Sequence, residues 1–127
     1  MIQFNKTIIK LLLILCLTPA MSVANTKNLY VFVSFSLNDE ALKAYYAEAE
    51  ELGAVLVMRG LIDDSFLATK AKLDELKIAY NIDPELFNKY NVTRVPAIVA
   101  DDGDTFKKIT GHIPLSDAVK IFDEEES

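Results

Sequence analysis

The chain has 127 residues and a formal net charge of −6 at pH 7, with 19 acidic side chains against 13 basic ones. A protein with this balance is not expected to take nucleic acid or an anionic lipid surface as its main partner. Cys16 is the only cysteine, and it lies in a segment that we expect to be removed. The rest of the chain therefore excludes disulfides, thiol chemistry and thiolate–metal sites, and we expect neither a metal nor another cofactor.

Residues 1–24 are predicted to be a cleaved secretory signal peptide. Two lysines and no acidic residue precede the apolar run 11–17, and small residues follow it. Cleavage after Ala24 is favoured over cleavage after Ala20. The apolar run is too short for a permanent membrane anchor. We therefore expect export to the periplasm and one domain over residues 25–127, a length that suits one domain and not two.

A strand, a helix and a second strand are predicted first. Residues 29–35 are rich in aromatic and β-branched side chains, as in a buried strand. Ser36 and Asp39 have the spacing of a capping box, and apolar residues then recur at helical spacing up to a stop at Gly53. A strand over 54–58 implies a right-handed crossover and a parallel pair. The predicted inward face of the helix is Leu42, Tyr45, Ala49 and Leu52.

The middle of the chain is predicted to be largely helical. Asp63 or Asp64 can cap a helix over residues 66–76, and residues 77–82 suit a short third strand. Asp83 caps a further short helix whose first residue is a proline. The residues predicted to face inward are Phe66, Leu67, Ala71 and Leu73 in the first of these helices and Leu86, Phe87 and Tyr90 in the second.

The last third of the chain predicts a strand hairpin and a closing helix. Strands over 95–100 and 106–110 flank a turn signal at 101–104. A helix over 114–122 follows, with a frayed acidic tail after it. The complete order is strand–helix–strand, helical connection, hairpin and helix. It predicts an α/β, thioredoxin-like fold in which helices flank a central mixed β-sheet.

Pro96 stands at the start of a buried strand, in the segment VTRVPAIVADD. Proline is unusual there because it has no N–H group to donate to the neighbouring strand. The residues alone leave two interpretations open, a cis peptide bond or an ordinary trans proline at a strand edge.

Four segments resemble the TrbC family, the periplasmic pilus-assembly proteins of F-type conjugative transfer systems, a type IV secretion class. They are VFVSFSLNDEALK, VLVMRGLIDDSFLAT, IDPELFNKYNVTRVPAIV and ITGHIPLSDAV. The most specific pieces are Arg59-Gly60-Leu61, Asp83-Pro84 with Leu86-Phe87, and Val95-Pro96-Ala97. The resemblance implies a thioredoxin-like fold with a cis bond before Pro96. It also implies a role in pilus and mating-channel assembly with a TraW-like partner, alongside other mating-channel proteins.

The resemblance to thioredoxin-like proteins also locates a site. The reactive cysteine pair of disulfide-handling relatives falls at Leu37 and Glu40, and because neither residue carries sulfur we predict a protein that is not an enzyme. What remains is a surface where an extended partner segment pairs with a strand edge. The predicted partner-binding residues are Leu37, Glu40, Arg59, Arg94, Val95 and Pro96.

Other interpretations stay open beside this one. A general periplasmic holdase would bind many extended clients weakly. A hydrolase would need Asp39, Glu40 or His112, although adjacent acids at helix starts are usually caps and one imidazole makes neither a metal site nor a catalytic triad. Arg59 follows a strand at its carboxyl end, where α/β sheets place binding residues, and can pair with Asp63 or with a partner.

Overall fold

The computed structural model describes residues 27–126. Five strands form one mixed sheet in the order β3-β2-β1-β4-β5. Strands β1, β2 and β3 are parallel, whereas β4 is antiparallel to both β1 and β5. The predicted signal peptide, residues 1–24, lies outside the described residues. The strands are β1 Asn28–Val33, β2 Val55–Met58, β3 Asn81–Ile82, β4 Ala97–Asp101 and β5 Phe106–Thr110.

The described chain also contains four α-helices and one short 3₁₀ turn. Between residues 27 and 126, no helix is long and apolar enough to cross a membrane. The α-helices are α1 Asp39–Leu52, α2 Phe66–Leu76, α3 Pro84–Lys89 and α4 Leu115–Glu126, and the 3₁₀ turn is Ile62–Asp64.

The sheet separates two apolar clusters because successive strand residues point to opposite faces. Val31 and Val33 of β1 pack in the first cluster with α1, α4 and the end of α2. Phe32 packs in the second cluster, where Phe87 and Tyr90 come from α3 and the residue that follows it. The predicted mixed sheet with helices on both faces is therefore confirmed.

The start of α1 differs from the predicted capping box. Asn38 is the capping residue, and its side-chain oxygen accepts a hydrogen bond from the Ala41 N–H at 2.7 Å. Ser36 instead forms a hydroxyl contact with Ser34 in the preceding turn. Gly53 ends the helix in the left-handed conformation, as predicted, with φ 72°. Three of the four predicted inward residues are buried, but Leu52 is 42% exposed.

Helix α2 has the predicted bounds but not the predicted orientation. Ser65, rather than either aspartate, caps it by accepting a hydrogen bond from the Ala68 N–H at 3.1 Å. Thr69 and Leu76 are buried, while Phe66 is 77% and Leu67 83% exposed. The prediction of an inward position is wrong for these two side chains and for Ala71, which is also exposed, whereas Leu73 is partly buried against the first cluster. Apolar residues are spread around this helix, so their spacing alone did not fix which side packs against the core.

The boundaries of β3 and α4 differ most from those predicted, while β1 ends at residue 33 and β4 begins at residue 97, each two residues short of the predicted strand end. Strand β3 is only two residues long because Lys77, at φ 56°, ends α2 and the chain then reaches the sheet only at Asn81. Helix α4 runs on through the acidic tail to Glu126. Two ion pairs hold this tail. Lys27 lies 3.9 Å from Asp123, and Lys107 of β5 lies 3.9 Å from Glu125.

Candidate functional site

The carboxyl ends of β1 and β2 define one edge of the sheet. Strand β4 runs antiparallel to β1, with Phe32 opposite Ala97, so β4 begins at the edge where β1 ends. The loop after β5 returns to the same edge, where the Gly111 N–H donates to the Pro96 carbonyl at 2.9 Å. Ligand sites in α/β sheets commonly lie outside such strand ends. The fold therefore brings the predicted site residues to one edge.

The turn between β1 and α1 is closed by its own backbone and hydroxyl groups. The Leu37 N–H donates to the Ser34 carbonyl at 3.2 Å, and the Ser36 N–H donates to the Ser34 hydroxyl, also at 3.2 Å. Leu37 is only 9% exposed and belongs to the first apolar cluster. It thus stabilises the junction from inside, whereas Glu40 is exposed in the first turn of α1.

The loop before β4 places its residues at different depths. The Val95–Pro96 peptide bond is cis, as the family resemblance implied. Pro96 is fully buried and Val95 is partly buried against the second cluster. Arg94 is exposed, and its side chain forms no hydrogen bond or ion pair within the described part of the chain. Arg94 and part of Val95 are therefore the accessible groups of this loop.

Arg59 makes internal contacts at the same edge. Its guanidinium carbon lies 5.0 Å from the centre of the Phe87 ring, and its Nη2 donates to the Val92 carbonyl at 3.4 Å. The cation–π contact connects the end of β2 to the second cluster. The predicted alternative of pairing with Asp63 is wrong, because within residues 27–126 no ion pair joins the two. We call Glu40, Arg59, Arg94 and Val95 the edge surface.

A mostly apolar cavity of about 250 Å³ adjoins this edge, between α1 and the loop that follows β5. A side-chain-sized recess beside an accessible strand end can take one residue of an extended ligand. The sequence analysis did not predict this cavity. The one signal for it was the helical spacing of Ala41 and Ala44, since small side chains leave room on the surface of a helix. Its lining residues are Ala41, Ala44, Tyr45, Glu48, His112, Ile113 and Pro114.

Two side chains of α1 fix the loop that forms the other wall of this cavity. The Tyr45 hydroxyl donates to the Ile113 carbonyl at 2.9 Å, and burial is the main reason that the pKa of Tyr45 is raised. The Glu48 carboxylate accepts the N–H groups of Leu115 and Ser116, each at 3.1 Å. Because two side chains of α1 hold the loop in place, the cavity is preformed.

Asp39 and His112, which the sequence offered for acid–base chemistry, lie in different surroundings. Asp39 forms an ion pair with Lys72 of α2 at 3.1 Å, which gives it a structural role. His112 is exposed at the rim of the cavity. Across residues 27–126, no group of three or more histidine, cysteine, aspartate or glutamate side chains could hold a metal ion.

A family model described as "Type-F conjugative transfer system pilin assembly protein", TrbC_Ftype, matches residues 31–121. The match begins in β1, includes every element of the edge described above, and ends within α4. The chain belongs to this family. The family resemblance inferred from the four sequence segments is thereby confirmed.

The chain is also similar to a curated TrbC protein. It is 29% identical over 94 residues to the periplasmic protein TrbC of Escherichia coli strain K12. The aligned region covers 70% of the present chain and 44% of that relative. The present chain thus spans less than half the length of this relative.

Two solved structures are similar in fold. The exposed lipoprotein thioredoxin of Streptococcus pneumoniae superposes with a TM-score of 0.62 at 17% identity, covering 80% of this TrbC-family chain and 86% of the other. StoA from Bacillus subtilis gives a TM-score of 0.52 at 13% identity, with coverages of 78% and 83%. At such identities the likeness shows the fold, and the predicted thioredoxin-like fold is confirmed.

Proposed function

We propose that this TrbC-family chain acts in the periplasm as an assembly factor of the conjugative pilus or mating channel by binding a TraW-like partner, without catalysis. The observation that carries the proposal is the accessibility of Arg94 and Val95 beside the buried Pro96, at an edge whose helix junction has no thiol. A thioredoxin-like edge without sulfur retains a surface for protein binding but lacks a redox group.

An extended segment of the partner lies along residues 94–95 in this proposal and pairs with the backbone there. One apolar side chain of that segment enters the cavity lined by Ala41 and Ala44. Arg94 and Glu40 contribute opposite charges at the edge surface and set the direction of the bound segment. Localisation in the periplasm is supported by the name of the similar protein from Escherichia coli and by the signal-like composition of residues 1–24.

The test is a binding measurement with the purified TraW-like protein of the same transfer system. Arg94→Glu reverses an exposed charge of the edge surface and is expected to raise Kd about tenfold. Lys120→Glu reverses an exposed charge on α4 and is the matched control, for which Kd is expected to stay the same. Leu37 and Pro96 are unsuitable for substitution because both are buried and their loss would lower folding stability.

Two outcomes would contradict the proposal. If Arg94→Glu and Lys120→Glu bind the partner as tightly as the unsubstituted chain, the edge surface is not the binding site. Equal affinity for unrelated unfolded proteins would instead favour the holdase function. Ala44→Trp provides a second measurement, since an indole at this position occupies the cavity and is expected to weaken binding by excluding the apolar side chain.

A further inference from the structure

Phe66 and Leu67 are the most exposed large apolar side chains of the described chain, at 77% and 83%. Both lie in the first turn of α2, directly after the loop that follows β2. Exposure of two adjacent side chains of this size to water is unfavourable, because burial of their apolar surface would stabilise the protein. We call them the 66/67 pair.

The loop before the 66/67 pair holds it in place. Asp63 and Asp64 both have left-handed backbone conformations, with φ 48° and 54°, which residues other than glycine rarely adopt. The buried Thr69 fixes the loop, since its hydroxyl accepts the Ile62 N–H at 2.9 Å and donates to the Ser65 carbonyl at 2.7 Å. The pair is therefore presented by a fixed turn and not by a frayed helix end.

Two acidic residues closely precede the 66/67 pair in the chain. Asp63 and Asp64 are exposed, and within residues 27–126 neither carboxylate forms an ion pair. The lysines farther along α2 are already paired, Lys70 with Asp74 and Lys72 with Asp39 and Glu75. Contact between two copies of the chain through this patch would bring four carboxylates together, and an anionic lipid surface would repel them. A partner surface that carries lysine or arginine would complement the negative charge of residues 63–67.

We propose that residues 63–67 are a second docking site, which inserts Phe66 and Leu67 into an apolar cleft bordered by basic side chains on another protein of the transfer system. The apolar pair provides affinity, as buried anchors do at protein interfaces, and the two aspartates provide orientation and selectivity. This contact goes beyond the proposed function because it uses neither the edge surface nor the cavity between α1 and the loop that follows β5.

The first experiment places a photoreactive p-benzoylphenylalanine at position 67 in donor cells that carry the transfer system. Position 121 of α4, where Ile121 is 40% exposed, is the matched control. We expect position 67, and not position 121, to crosslink to one transfer-system protein, at a peptide that contains lysine or arginine. A crosslink to a second copy of the chain, a crosslink to lipid, or no product specific to position 67 would overturn the proposal.

The second experiment measures the affinity of the crosslinked protein, once purified, for the full chain. The double substitution Phe66→Ser and Leu67→Ser is expected to raise Kd about thirtyfold. Asp63→Asn with Asp64→Asn is expected to weaken binding mainly at low salt, because exposed charge pairs are screened at high salt. Leu52→Ser with Ile121→Ser removes two other exposed apolar side chains and is expected to leave Kd unchanged.

These measurements distinguish the second docking site from the edge surface. If the 66/67 substitutions leave Kd unchanged, or if the control pair weakens binding equally, the second docking site is wrong whatever the edge variants do. Arg94→Glu is expected to leave the crosslink from position 67 intact. A thermal melt verifies that the 66/67 double variant is folded, which its exposure leads us to expect.

Discussion

At the scale of single residues, the hydroxyls of two tyrosines have different surroundings. The Tyr90 hydroxyl donates to the Asp101 carboxylate, which also receives the Gly103 N–H at 2.8 Å and lies 3.7 Å from Lys89. The hydrogen bond from Tyr90 is the main reason that the pKa of Asp101 is lowered. The Tyr80 hydroxyl is buried and, among the described residues, has no hydrogen-bond partner. Such an unpaired group costs stability, whereas the Tyr90–Asp101 contact provides it.

Asp101→Asn is expected to lower the free energy of unfolding at pH 7 by about 1–3 kcal/mol, because hydrogen bonds to an ionised carboxylate are stronger than those to an amide. The folded state lowers the pKa of Asp101, so its contribution is complete above the unfolded pKa of about 4 and is lost as the pH falls through the folded value. Unfolding midpoints measured from pH 7 down to about pH 2 should therefore converge for the two proteins at acid pH. A constant difference across the range would contradict this assignment.

At the scale of elements, the N-terminus of α4 is capped from another helix. Glu48 of α1 accepts the N–H groups of Leu115 and Ser116, which α4 cannot satisfy internally. A carboxylate at a helix N-terminus is also favoured by the helix dipole. One side chain therefore joins α1 to α4, positions the loop at residues 112–114 and maintains one wall of the cavity.

Glu48→Ala is expected to lower the free energy of unfolding by about 1–2 kcal/mol, since two backbone N–H groups lose their acceptor and the helix loses its cap. Urea denaturation measures this loss. Glu51→Ala, an exposed position on the same helix, is the control and should change the free energy by no more than about 0.5 kcal/mol. If both variants are equally stable, the cap is not a significant contributor.

At the scale of the whole molecule, the two faces of the sheet differ in how they are covered. The first face packs against α1, α4 and the end of α2, whereas α3, a helix of six residues, packs on the second. On this second face, contacts between aromatic rings add to the packing that the short helix α3 provides. Phe32 lies edge-on to Phe87 with ring centres 4.9 Å apart, and Tyr90 contacts both Tyr30 and Phe106.

Phe32→Ala is expected to lower the free energy of unfolding by about 3–5 kcal/mol, because it leaves a cavity between the central strand and α3. That loss is a large share of the total stability of a small domain, about 5–15 kcal/mol. Phe106→Ala, at the exposed end of the same aromatic cluster, should cost clearly less. Chemical denaturation followed by circular dichroism compares the free energies of unfolding of the two variants. Equal decreases would show that Phe32 contributes no more to the stability of the second cluster than the exposed Phe106 does.

The element order could be predicted because its signals are local. Gly53 ends α1, Asp83 with Pro84 begins α3, and the turn residues at 101–104 separate β4 from β5. The family resemblance rested on the segments around residues 59–61 and 95–97, which the family match includes. The absence of a cysteine from the β1–α1 junction is likewise a property of the sequence alone.

Which side of each element faces the core was decided only by the tertiary structure. Leu37 packs inward in the first apolar cluster. Leu67 points outward because Thr69 and Leu76, on another side of α2, meet the rest of the fold. Arg59 contacts the Phe87 ring, a residue distant along the chain, and Glu48 caps a helix that begins at Leu115. Local patterns determine where helices and strands begin and end, whereas these contacts depend on how the elements pack in three dimensions.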